Sequence, residues 1–151
     1  MAVRSLDNVF KAEERRRLSR KASAAPSVLP SARHLVKGRL GEEVAADFLA
    51  KKGYVIIDRN VHEGHCEIDI VARDKDEIVF AEVRTRKFGA VTSACESVGP
   101  QKLSKLITAG RRWAESRHYE GIWRIDLVAV TEMNDGTFET EHLRDITEPI
   151  V

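Results

Sequence analysis

The chain has 151 residues, with 25 Lys and Arg against 24 Asp and Glu, two Cys and 42% apolar residues, which suits one domain of ordinary size. Two cysteines exclude a disulfide-stapled scaffold and a four-thiolate zinc site, and no apolar run approaches the ~18 residues needed to cross a bilayer. The net charge of +1 conceals an asymmetry, because residues 1–37 carry nine bases against three acids, a balance of +6, while residues 38–151 carry −5.

Residues 1–37 read as a basic arm and linker, and residues 38–151 as the folded domain. In the arm, Leu6, Val9, Phe10 and Leu18 can line a short amphipathic helix bearing Arg15, Arg16 and Arg17. The small residues around Pro26 and Pro30 then break the chain. No signal-peptide pattern opens the sequence, so the expected location is cytoplasmic with reduced thiols, and no membrane partner is expected.

From Gly38 the pattern becomes regular. A helix is predicted over 40–52 and stopped by Gly53, the residue that best tolerates a left-handed turn. Apolar, β-branched strands follow at 54–61, 67–73 and 78–86, the last two joined by a polar turn. Gly99-Pro100 opens a second helix running to about Arg117, since proline suits the first helical position. Strands at 123–131 and 137–143 close the chain, for an order α-β-β-β-α-β with a trailing strand.

The hairpin holds the informative residues. With Lys75 and Asp76 at its tip, symmetric pairing sets Asp69 opposite Glu82 and Glu67 opposite Arg84, all on one face. Opposed Cβ atoms lie ~4.5–5.5 Å apart, so the two carboxylates repel unless a cation stands between them. Glu82 also interrupts the run Ile78-Val79-Phe80-Ala81, which suits a strand buried on both faces, where an unpaired charge is costly. Either Arg84 and Arg86 neutralise these acids on a solvated face, or a divalent ion does. Mg²⁺ takes one or two carboxylates and completes its shell with water and phosphate oxygens. On the first helix, Glu42 borders the stripe of Ala45, Phe48 and Leu49 and can approach the sheet, whereas Glu43 points outward.

These segments together resemble a known family. Gly38-Arg39-Leu40-Gly41-Glu42, Gly53-Tyr54, Glu67-Ile68-Asp69-Ile70-Val71-Ala72, Phe80-Ala81-Glu82-Val83-Arg84-Thr85-Arg86 and Arg124-Ile125-Asp126-Leu127-Val128-Ala129-Val130 resemble, in order and spacing over about 38–130, the YraN-like family. That family belongs to the restriction-endonuclease-like PD-(D/E)XK superfamily and is similar to archaeal Holliday-junction resolvases. The resemblance implies an α/β, restriction-endonuclease-like three-layer core around a mixed central sheet. It also implies an endonuclease that hydrolyses phosphodiester bonds in DNA, including branched or structured DNA, with Mg²⁺ as cofactor and Mn²⁺ as substitute. Asp69, Glu82 and the Val83 backbone carbonyl match the metal ligands, and Glu42 matches an added helix acid. Lys102 matches a base often found after the proline, a phosphate contact, and Arg86 and Lys87 are further candidate nucleic-acid contacts.

Two positions depart from the family pattern. Cys66 replaces a usual Gly, and Arg84 replaces a Lys thought to position or deprotonate the attacking water. Arginine binds phosphate well but cannot act as a base, its pKa exceeding ~12. Lys87 or Lys102 can take over that role only if the fold brings it close. Two readings therefore compete with the enzyme: a nucleic-acid-binding module that has lost turnover at Arg84, and a protein-interaction domain with merely solvated acids. Resolution of a two-fold junction would call for a homodimer with paired sites. The run His62-Glu63-Gly64-His65-Cys66 fits no common zinc spacing, and Asp126 reads as structural support.

Overall fold

The structure, a computed structural model, describes residues 32–93 and 96–147, with side chains from Arg39 onward. The first helix, α1, spans Ala32–Lys51. It starts inside the segment expected to be linker, because Ala32 to Lys37 contains no proline and extends the helical pattern of the residues that follow. The arm at 1–31 and Cys95 lie outside the described residues. At its far end the helix closes as the sequence predicts. Gly53 takes φ +97°, its N–H donates to the Ala50 carbonyl and the Tyr54 N–H to that of Leu49, a Schellman closure.

Five strands follow: β1 (Val55–Glu63), β2 (Cys66–Asp74), β3 (Glu77–Lys87), then, beyond helix α2 (Pro100–Ser116), β4 (Trp123–Glu132) and β5 (Phe138–Leu143). They form one sheet in sequence order, antiparallel except for the parallel pair β3–β4 that α2 connects. The sheet is mixed and lies between the two helices, so the core is three-layered α/β as expected.

The central strands are apolar on both sides for that reason. Val79 and Ala81 of β3 meet Ala45, Ala46 and Leu49 of α1, while Ile78 and Phe80 meet Leu106, Ala109 and Trp113 of α2. Both helices approach closely where they carry glycine. A β-carbon on Gly110 would lie 2.9 Å from Phe80 and Trp123 ring atoms, and one on Gly41 would lie 1.9 Å from Thr85 Oγ1. The second contact draws the middle of α1 onto the end of β3, which sets the height of Glu42 above the sheet.

A buried polar knot ties the sheet's far half together. Arg124 Nε donates to Asp126 at 2.9 Å, its Nη2 to Asp74 at 2.9 Å and to the Tyr54 hydroxyl at 3.0 Å, and its Nη1 to Glu77. Asp126, fully buried, also contacts His142 Nε2 at 2.8 Å and accepts the Asp145 N–H at 2.9 Å. Asp126 thus joins the β2–β3 turn, β4 and β5, the structural part read from the sequence.

A candidate acidic site at the open end of the hairpin

The β2–β3 ladder runs from Asp74↔Glu77 to Ile70↔Ala81 in the symmetric register that the polar turn predicts. It then opens, and the expected facing of Glu67 and Arg84 is not part of it, because β2 beyond Ile70 stays paired with β1 alone. The Asp69 carboxylate takes the place of backbone pairing, its Oδ2 accepting the Val83 N–H at 2.8 Å. N–H and C=O of one strand residue point to the same side, so the Val83 carbonyl also faces this gap.

Asp69 and Glu82 come within hydrogen-bonding contact of each other here. Glu82 is 4% exposed, and its Oε2 is buried with no hydrogen-bond partner among the described residues. Its Oε1 lies 3.2 Å from Arg84 Nε and 3.4 Å from Lys102 Nζ. Burial, and then the Asp69 charge, push the Glu82 carboxyl up to about 7, against the opposing pull of Lys102 and Arg84. Burial also raises Asp69, against the Val83 hydrogen bond. Two acids this close and this buried each disfavour the other's charge, so both carboxyls bind protons more readily than free ones.

Glu42 stands half-buried behind the pair. Burial and the Asp69 charge raise its carboxyl, and the Asn60 side chain, within hydrogen-bonding reach, counteracts them. Glu43 is exposed, as expected. Among the described residues no three His, Cys, Asp or Glu side chains converge into a ready-made metal cage, so neither the His62–Cys66 run nor the full acidic trio forms one. Asp69 and Glu82 meet, and Glu42 is set back from them.

The basic candidates separate. Lys102, at the start of α2, reaches Glu82 and so enters the site from the helix. Lys87 ends β3 on the surface, on the alternate side from Glu82 and Arg84. Arg86 braces the loop after β3, its Nη1 donating to the Thr92 carbonyl at 3.0 Å and its Nε to Thr131 Oγ1 at 3.4 Å.

Sequence reasoning missed Asn60. It lies in β1 between Arg59↔Ile70 and Val61↔Ile68, hence opposite Asp69, and has φ +53°. Asparagine is among the few non-glycine residues that tolerate this left-handed geometry. A residue disfavoured in strands and tolerant of left-handed backbone, set between Arg59 and Val61 of β1, is the signal that marked it.

The model of the family described as "Uncharacterised protein family UPF0102" matches residues 41–130. A UPF0102 protein of Oleidesulfovibrio alaskensis is 44% identical over 99 residues, covering 65% of this chain and 49% of that protein, so the chain spans about half of its length. One from Arthrobacter sp. (strain FB24) is 42% identical over 110 residues, 72% of this chain and 93% of the relative. One from Streptomyces griseus is 42% identical over 113 residues, 73% and 94% respectively. The matched span runs from the middle of the Glu42 helix nearly to the end of β4 and takes in every residue of the acidic site. The chain belongs to UPF0102, the YraN family.

Proposed function

We propose that the chain is a Mg²⁺-dependent endonuclease that hydrolyses phosphodiester bonds in DNA. The observation that carries the reading is the buried Glu82 carboxylate, touching Asp69 and keeping one oxygen unpartnered. Arg84 and Lys102 reach only Oε1, so the buried Oε2 beside Asp69 stays uncompensated, and hard oxygen donors of this kind suit Mg²⁺. Asp69, Glu82 and the Val83 carbonyl would be the ligands, and Glu42, set back, would act through a water. A cation there supplies a more acidic bound water and neutralises charge on the phosphate under attack.

The protein's own groups divide the remaining work. The Val83 N–H fixes the Asp69 carboxylate. Arg84, permanently charged, holds a phosphate oxygen. Lys102, next to Glu82, provides an ammonium that can orient the attacking water or a phosphate oxygen. Branched DNA is the substrate favoured by the likeness to resolvases, and a dimer follows only if the substrate is two-fold.

A competing reading has one observation in its favour. Arg84, only 3.2 Å from Glu82, already places a fixed cation where a lysine would serve catalysis, as expected of a DNA-binding module without turnover. Cleavage of linear, flapped and four-way DNA across a Mg²⁺ and Mn²⁺ titration separates the two. The nuclease cuts only with metal, and Asp69→Ala and Glu82→Ala slow it by about 100-fold or more. If both variants match the wild type, the nuclease reading fails. If the wild type is inert and Arg84→Lys cuts, the binding module stands and the scaffold is competent.

A further inference from the structure

Beyond the acidic pair the surface continues into a groove of about 210 Å³ between α2 and the β1–β2 turn, lined by Glu63, His65, Cys66, Lys105, Thr108 and Arg112. Cys66 links the two places. It lines the groove, and it lies within electrostatic reach of Lys102, Glu82, Lys105 and Asp69. The groove therefore lies beside the acidic site, with Cys66 between them.

Its charge is positive. The one acid lining it, Glu63, is taken by the buried Arg117, whose Nη1 donates to it at 2.9 Å while the guanidinium stacks on Trp113 at 4.5 Å. Lys105 and Arg112 are exposed, and among the described residues neither forms an ion pair. Arg112 is also placed by the backbone. Its guanidinium lies over Gly64, where a β-carbon would come 1.9 Å from Nη1, and Gly64 sits at φ +65°. The turn thus keeps glycine where the arginine crosses from helix to hairpin and closes the groove's far end.

Spacing sets what fits. At 1.5 Å per residue, Lys105 lies about 4.5 Å and Arg112 about 15 Å along α2 from Lys102. One strand of a duplex advances about 3.4 Å per nucleotide, so the stripe follows about four of them.

We infer that this groove is the track of a DNA strand leaving the acidic site, with Lys105 and Arg112 each contacting a backbone phosphate. The inference rests on the nuclease reading for its starting point, but it concerns binding alone. Such contacts fix position and not sequence. They also release counterions, which makes them measurable one at a time.

The test is fluorescence anisotropy of a labelled DNA duplex with the full chain, in EDTA, over a range of salt concentrations. Lys105→Ala and Arg112→Ala are each expected to reduce the slope of log K against log salt by about 0.9. Arg111→Ala, on the same helix outside the groove, is expected to leave it unchanged, with circular dichroism as the check that each exposed substitution leaves the fold intact. Unchanged slopes in both groove variants, an equal loss in Arg111→Ala, or no DNA retained by the wild type at low salt overturns the inference. Because EDTA removes the chemistry, the two proposals fail separately. Reduced slopes without any metal-dependent cleavage leave the groove standing, and cleavage with unchanged slopes leaves only the acidic site.

Discussion

At Glu82, the proposed function and stability pull in opposite directions. Its folded pKa, raised to about 7 by burial and Asp69, exceeds the ordinary carboxylate value. The sign follows from linkage: the stabilising contribution is complete below about 4.5 and is lost as pH rises through about 7. In EDTA the melting temperature of the wild type is expected to carry this loss between pH 5 and 8. Glu82→Gln removes it and is more stable than wild type at pH 8, on the order of 1 kcal/mol or more. A Glu82→Gln variant that melts lower at pH 8 would show the carboxylate to be a structural anchor. Asn60 gives a second residue-scale prediction. Asn60→Val forces a β-branched residue into a left-handed backbone and costs about 1–2 kcal/mol in urea unfolding, whereas Asn60→Gly keeps that geometry and costs little. Both variants lose the amide beside Glu42, so both are expected to cleave more slowly. Equal stability in the two would show that the backbone there is relaxed.

At the scale of elements, the knot around Asp126 holds β4 and β5 to the β2–β3 turn. Burial alone would raise this carboxyl, yet hydrogen bonds from His142, Arg124 and the Asp145 N–H hold it below the usual range. Its contribution is therefore complete above about pH 4 and is lost as pH falls further, opposite in sign to Glu82. Asp126→Asn leaves Arg124 underpaired in a buried place and is expected to cost about 3 kcal/mol in urea unfolding. A cost below about 0.5 kcal/mol would remove the knot from the account of stability.

Elements were also what the sequence showed best. Helix α2, all five strands and the hairpin register follow from apolar periodicity, Gly53, Pro100 and the Lys75-Asp76 tip, because those signals are local. The start of α1 at Ala32 was masked by the prolines and small residues before it. The opening of the hairpin beyond Ile70 and Ala81 was hidden for a different reason, since it depends on where β1 and β4 hold their partners. Lys102 stands out in the sequence as a phosphate contact, whereas Lys105 and Arg112 carry no motif that marks them. Only the packing of α2 over Phe80 and Glu82 shows that the first reaches a carboxylate and the others border a groove.

For the molecule as a whole, the near-neutral total hides a division of labour within the folded part. The −5 of residues 38–151 includes Glu42, Asp69 and Glu82, gathered at one end of the hairpin, while Lys102, Lys105 and Arg112 lie along the helix beside it. An acidic domain can thus accept a phosphate-bearing strand along its basic helix, while the acidic end is left for a cation. Divalent metal binding by the whole chain tests this claim most directly, by calorimetry with Mn²⁺ at about pH 6, below the raised Glu82 value, in two buffers of different ionisation heat. The account predicts one ion per chain, bound with release of about one proton from the carboxyl pair, and loss of that binding in both Asp69→Asn and Glu82→Gln. Absence of binding to the wild type, or binding that survives both substitutions, would contradict it.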